Sequence, residues 1–216
     1  MEIDPLLAEL HHTSAGSARV TSHTRAGHDV DVLVTGVGMV ATAAWSSHVC
    51  ARQRYDLALN FGVCGTFDRA LAPGTVVHVI SDCLAELGAD DDDRFVTIQE
   101  LGLLGGEEWP FRRGRLMNEA PPANPALNRL PAVRGITVNT VHGSDRSIAV
   151  VAKRFDPQVE SMEGAAFMYA CMIHEVPFAQ VRAVSNVVEK RNREAWGMPE
   201  AIRNLCETSL NILDFA

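Results

Sequence analysis

Val159-Glu-Ser-Met-Glu-Gly-Ala-Ala166, followed shortly by Val181-Arg-Ala-Val-Ser-Asn186, organises the reading of this chain. The first run places a carboxylate, Glu163, at the mouth of an apolar helix expected over 163–174. The second closes an apolar strand, expected over 177–186, on the polar amide of Asn186. Helices alternating with strands build α/β folds, and open sheets of that class bind ligands outside the carboxyl ends of their strands. Two polar groups delivered to one sheet edge can grip the two halves of one small ligand.

The same alternation runs through the rest of the chain. Asp4-Pro5 opens a short helix, with proline near the first helical position, where its missing N–H costs nothing. Residues 18–25 and 29–35 read as a hairpin around Ala26-Gly27-His28. Thr35-Gly-Val-Gly38 ends that hairpin and opens an Ala-rich helix over 39–53. A strand over 56–61 runs into Gly62-Val-Cys-Gly65, and another is expected over 74–83. The stretch 88–115 reads as irregular, its acidic run from Asp90 to Asp93 as a solvated loop. A strand over 135–142, a helix over 146–153 and an amphipathic closing helix over 198–215 complete the pattern. With no repeats and no linker, one domain over 1–216 is expected, a three-layer α/β/α sandwich with a mixed central sheet.

Composition removes several function classes. A net charge of −8 argues against a nucleic-acid or anionic-membrane partner, either of which needs a basic surface. No run is long and apolar enough to span a bilayer, and the N-terminus lacks the basic-then-apolar pattern of a secretory signal. A cytoplasmic location is expected. Five cysteines form an odd, scattered set without a Cys-x-x-Cys pair, so neither a disulfide framework nor a metal site is expected. Most of them read as small buried hydrophobes. His11-His12 reads as lying near the end of the first helix, where it could suit the dipole, without a ligand role. No metal or organic cofactor is called for.

Taken singly, each motif has a plain structural alternative. The Thr35-Gly-Val-Gly38 turn could bring backbone N–H groups to an anion or merely pack a helix on a sheet. It lacks the third glycine of a dinucleotide fingerprint and the lysine of a P-loop. Glu163 could simply complement a helix dipole, and Asn186 could form a strand-end turn.

Flanking residues favour the functional alternatives, because they resemble the purine nucleosidase and nucleoside phosphorylase family over nearly the whole chain. Asn60-Phe-Gly-Val-Cys-Gly-Thr-Phe67 resembles the glycine turn that lines the base and sugar pocket there, which implies substrate contacts from Gly62, Val63, Cys64 and Gly65. Phosphorolytic members carry arginine where Asn60 stands and serine or threonine where Val63 stands; those groups clamp phosphate. Their loss implies water as the nucleophile. Met162-Glu163 resembles the family's Met-Glu pair, in which glutamate accepts hydrogen bonds from the ribose hydroxyls and methionine packs on the sugar. Adenine-directed members have aspartate after Ser185. An asparagine amide offers two donors and one acceptor, which suits a 6-oxopurine better than adenine.

Ser185-Asn-Val-Val-Glu-Lys-Arg-Asn-Arg-Glu-Ala-Trp196 resembles the futalosine hydrolase branch of that family. The branch cleaves hypoxanthine from futalosine in an alternative menaquinone pathway. Futalosine carries a benzoate, for which Arg191 and Arg193 are candidate partners, and Trp196 could stack on the arene. An exposed-face role for either arginine and a core role for Trp196 stand beside these. The resemblance makes Glu2 the base that activates water, and Asn186 the group that holds the leaving purine. It also implies a homodimer or larger assembly. The apolar first strand that precedes such a glutamate in the family is absent here. The natural chain is therefore expected to begin upstream with that strand, and an intact native mass starting at Met1 would refute this.

Overall fold

The computed structural model describes residues 3–14, 19–92 and 94–215, with Arg193 described by its backbone alone. Glu2 lies outside the described residues. In chain order the elements are α1 (Asp4–Ala8), β1 (His11–Ser14), β2 (Val20–Arg25), β3 (His28–Leu33), α2 (Met39–Cys50), β4 (Ala58–Thr66), β5 (Val76–Asp82) and β6 (Gly88–Asp91). There follow β7 (Arg94–Thr97), β8 (Leu116–Met117), β9 (Ala132–Thr137), α3 (Asp145–Phe155), β10 (Val159–Ser161), α4 (Gly164–Ile173), β11 (Phe178–Val187) and α5 (Met198–Leu213).

The mixed central sheet runs β11-β4-β10-β9-β5-β8 and is flanked by helices, as expected for this α/β class. It curls further than a flat sandwich layer, because β5 also pairs antiparallel with β11, Val76 opposite Ala183 through Val79 opposite Gln180. Five strands thus close on themselves. Cys64, Val77, Val79, Val133, Val159 and Val184 supply one or two side chains from each and pack together as one buried cluster. β-branched residues dominate because their stiff side chains fill a pleated surface with little rotamer loss.

Strand β11 is buried on both faces. Ala179, Val181 and Ala183 alternate onto α5, meeting Ala201, Leu205 and Ile212. Phe178 faces α4 and packs edge-on to Phe167, with ring centroids 6.0 Å apart. Burial on both sides explains why its sequence reads as an apolar run rather than an alternation.

Two local expectations are corrected. His11 and His12 do not end a helix: α1 stops at Ala8, and both histidines open β1 opposite Thr24 and His23. Pairing with the adjacent strand decides their state where the sequence is locally neutral. The acidic run is not simply a loop either. Asp90 and Asp91 lie in β6, which pairs with β7, and Asp92 sits in the turn with φ 56°. Aspartate tolerates that left-handed conformation better than most residues.

Among the described residues no strand precedes α1, and β1–β3 form a separate antiparallel sheet. Over Ala58–Cys64, β4 pairs with β11 alone, its opposite edge carrying no strand partner among the described residues.

Candidate active site

Glu163 stands at the N-cap of α4, yet its carboxylate does not cap that helix. It turns outward, where Oε1 accepts from the Gly38 N–H at 3.1 Å and Oε2 lies 3.5 Å from Nη1 of Arg182. Gly38 can present its N–H because its φ of 93° is one that side chains disfavour. Through the Gly38 N–H, the Thr35-Gly-Val-Gly38 turn thus holds this carboxylate. Arg182, 2% exposed in the middle of β11, also donates through Nη2 to Oδ1 of Asn60. Its guanidinium is therefore held between Asn60 and Glu163.

Asn186 lies one strand away. Its Oδ1 accepts from the Ser185 hydroxyl at 2.8 Å, and its Nδ2 donates to the Val187 carbonyl at 2.9 Å. A carbonyl can only accept, so the amide orientation is fixed, and one N–H of Nδ2 is left for another partner. The single Ser185 hydroxyl proton is shared between the Asn186 Oδ1 and the Cys64 carbonyl, which lies 3.1 Å away. A bulge between Val184 and Asn186 brings Asn186 opposite Gly65 on β4, and the other edge of Gly65 faces Glu160 on β10. Directly paired residues share a sheet face. The missing side chain of Gly65 therefore leaves a gap between Asn186 and Glu160 that the Val188 side chain partly fills. A Cβ there would lie 2.8 Å from Val188 and 3.4 Å from Asn186 Nδ2.

That gap is the floor of a cavity whose walls include His142, Glu160, Asn186, Arg191 and Trp196. Glu160, 3% exposed, accepts from the His142 backbone N–H at 3.0 Å and also engages its ring Nδ1. The hydrogen bond to Glu160 raises the His142 pKa above its ordinary value. Partial burial opposes that shift, and the negative charges of Glu160 and Glu86 reinforce it.

Of the residues singled out in the sequence, the structure brings Gly65, Asn186, Arg191 and Trp196 to one cavity, with Ser185 fixing the amide. Gly62 and Cys64 are buried within β4, the Cys64 side chain belonging to the inter-strand core. Val63 packs on the α5 side of the sheet. Met162 and Glu163 are partly buried at the start of α4. The arginine of the 3₁₀ turn Arg193–Ala195 is placed by its backbone only. Sequence reasoning passed over Arg182, whose signal was a lone charge in an apolar strand. It also passed over Glu160, the other carboxylate of the Val159–Ala166 run, and it named His142 only within a turn.

The phosphorylase superfamily model matches residues 2–214. The chain belongs to the phosphorylase superfamily. Within that superfamily its curated relatives include a futalosine hydrolase of Acidothermus cellulolyticus, 33% identical over 88% of this chain and 76% of the relative. Another, from Thermus thermophilus, is 30% identical over 84% and 80%. Solved structures with the same superfamily fold include a 5′-methylthioadenosine/S-adenosylhomocysteine nucleosidase of Colwellia psychrerythraea in complex with adenine. It has a TM-score of 0.77 and 24% identity, covering 98% of this chain and 90% of that one. The futalosine hydrolase of Helicobacter pylori gives a TM-score of 0.74 at 14% identity, over 99% and 93%.

Proposed function

We propose that this chain hydrolyses the N-glycosidic bond of futalosine, releasing hypoxanthine and dehypoxanthine futalosine, and so serves menaquinone biosynthesis. The observation that carries the proposal is the Asn186 amide, locked by Ser185 and Val187 with one N–H turned free beside the Gly65 gap. A free donor suits the 6-carbonyl of hypoxanthine, whereas the 6-amino group of adenine needs an acceptor. The futalosine hydrolase relatives at 30–33% identity support the same substrate.

In this scheme water attacks C1′ of a ribosyl group with oxocarbenium character, and Glu2 takes its proton. Glu163, already ionically tied to Arg182, accepts from the ribose hydroxyls as positive charge spreads over the ring. Met162 packs on the sugar, and the backbone of Gly62–Gly65 lines it. Arg191 and Arg193 receive the benzoate carboxylate, with Trp196 beside the arene. Hydrolysis rather than phosphorolysis is supported by the engagement of Arg182 with Asn60 and Glu163, which leaves it poorly free to clamp phosphate. The exposed apolar side chains of Val37 just before α2 and Val40 in its first turn, with Ile173 on α4, offer a face for a homodimer or larger assembly. No helix among the described residues is long and apolar enough to cross a membrane, which agrees with a site of action in the cytoplasm.

Incubating the protein without phosphate, separately with futalosine, methylthioadenosine and inosine, tests the assignment by chromatography of the released base. Hypoxanthine from futalosine alone is expected. Adenine from methylthioadenosine would overturn the specificity.

A further inference from the structure

The proposed scheme leaves one step without a donor. An amide holds a leaving purine but cannot protonate it, and a purine anion leaves C1′ poorly. The cavity contains a group that can. Asn186 and Glu160 pair with the two edges of Gly65, so they stand about 10 Å apart across one strand, and the Val188 side chain packs over the glycine between them. His142 has its backbone N–H and ring Nδ1 both bound to Glu160, and it lines the same cavity as Asn186. With Nδ1 occupied, Nε2 is the ring nitrogen available to a ligand.

We propose that His142, oriented by Glu160, is the catalytic acid that delivers a proton from Nε2 to N7 of the departing purine, while Asn186 donates to O6. N7 and O6 lie on the same edge of a 6-oxopurine, so both donors approach from one side. This role presupposes the nucleoside hydrolysis proposed above. As the C1′–N9 bond breaks, its electron pair passes to the purine and the Nε2 proton goes to N7. The oxygen of water forms the new bond to C1′. The proton that water loses reaches solvent through the base, and solvent returns one to His142. Glu160 serves as a positioning residue that keeps the imidazole charged and correctly turned, in the manner of carboxylate-oriented histidines elsewhere.

The charged groups that bear on His142 are Glu160 on β10, Glu86 after β5, and Glu189 and Arg191 on the cavity wall. The acidic neighbours favour the imidazolium. An acid acts only while protonated, so kcat falls as pH rises through the folded pKa of His142.

The test measures kcat on futalosine across pH for the wild type, His142→Gln and Glu160→Gln. It also measures hypoxanthine affinity across pH by calorimetry. His142→Gln is expected to lower kcat by about 10²- to 10⁴-fold and to abolish the alkaline limb. Glu160→Gln should move that limb to lower pH, because the interaction that raises the His142 pKa is weakened. Hypoxanthine should bind the wild type less tightly as pH rises, and His142→Gln without that dependence. A wild type that cleaves futalosine, with His142→Gln retaining both rate and limb, overturns the acid role and leaves the function intact. A wild type that cleaves no futalosine, yet binds hypoxanthine with the His142-dependent pH profile, overturns the substrate and keeps the proton donor in place. If hypoxanthine binding is indifferent to His142 as well, both fall.

Discussion

At the scale of single residues, the proposed function assigns sugar recognition and base recognition to separate groups. Glu163 is built for one charge state: a backbone N–H and a guanidinium already face it. Glu163→Gln keeps the shape, loses the charge and leaves the buried Arg182 poorly compensated. A fall in kcat of about 10²- to 10³-fold is expected in steady-state assays on futalosine, since a neutral amide stabilises an oxocarbenium ion less well. Asn186→Asp changes the other half. Ser185 can still donate to one oxygen, but the free N–H becomes an acceptor. The ratio of kcat/KM for futalosine to that for methylthioadenosine should fall by about 10²-fold or more, which chromatography of hypoxanthine against adenine measures. An unchanged ratio would remove Asn186 from specificity.

At the scale of elements, α4 is seated on a buried polar cluster. Asp82 at the end of β5 accepts from Thr137 at 3.0 Å, from Gln180 at 3.2 Å and from its neighbour's backbone, Cys83 N–H, at 2.8 Å. Thr137 in turn receives the Ala165 N–H at 2.7 Å, satisfying a first-turn donor that has no partner within the helix. Burial pushes the Asp82 carboxyl up from its ordinary pKa, against the pull of these donors and of Arg115. Gly164 lets the helix sit this close. A Cβ there would fall 2.1 Å from Gln180 Nε2 and 2.4 Å from Asp82 Oδ2. Gly164→Ala is therefore expected to destabilise by about 3 kcal/mol, lowering Tm by about 6–12 °C in thermal melts. Because Glu163 immediately precedes this glycine, activity should fall with stability. Under the proposed function, the Glu-Gly pair in the sequence thus serves both ligand and helix.

At the scale of the whole molecule, pH is expected to act on stability through a buried titratable group outside the cavity lining. His78, on β5 and 5% exposed, has an Nε2 without a hydrogen-bond partner among the described residues, and burial lowers its pKa from 6.5 to about 4. The unfolded chain takes up a proton near pH 6.5 that the folded chain refuses until about 4. Stability is therefore full above 6.5 and is lost as pH falls through that window. Urea melts between pH 7 and 4.5 should show this decline, and His78→Gln should flatten it. An identical slope in both proteins would mean that other groups carry the acid sensitivity.

By itself the sequence determined the α/β class, the helix starting at Glu163, the strand ending near Asn186 and the family likeness. These are local or patterned properties: an apolar run flanked by a carboxylate or an amide is visible without knowing what it touches. The catalytic candidate Glu2 also came from the sequence, and it lies outside the described residues. Tertiary structure alone decided that β5 returns to pair with β11, because strand closure depends on sheet curvature and leaves no periodicity of its own. It likewise placed Arg182 against Glu163, and it placed Glu160 and Asn186 on the two edges of Gly65. Residues far apart in the chain meet there only through strand register, which is set by the packing of both sheet faces and not by any single stretch of sequence.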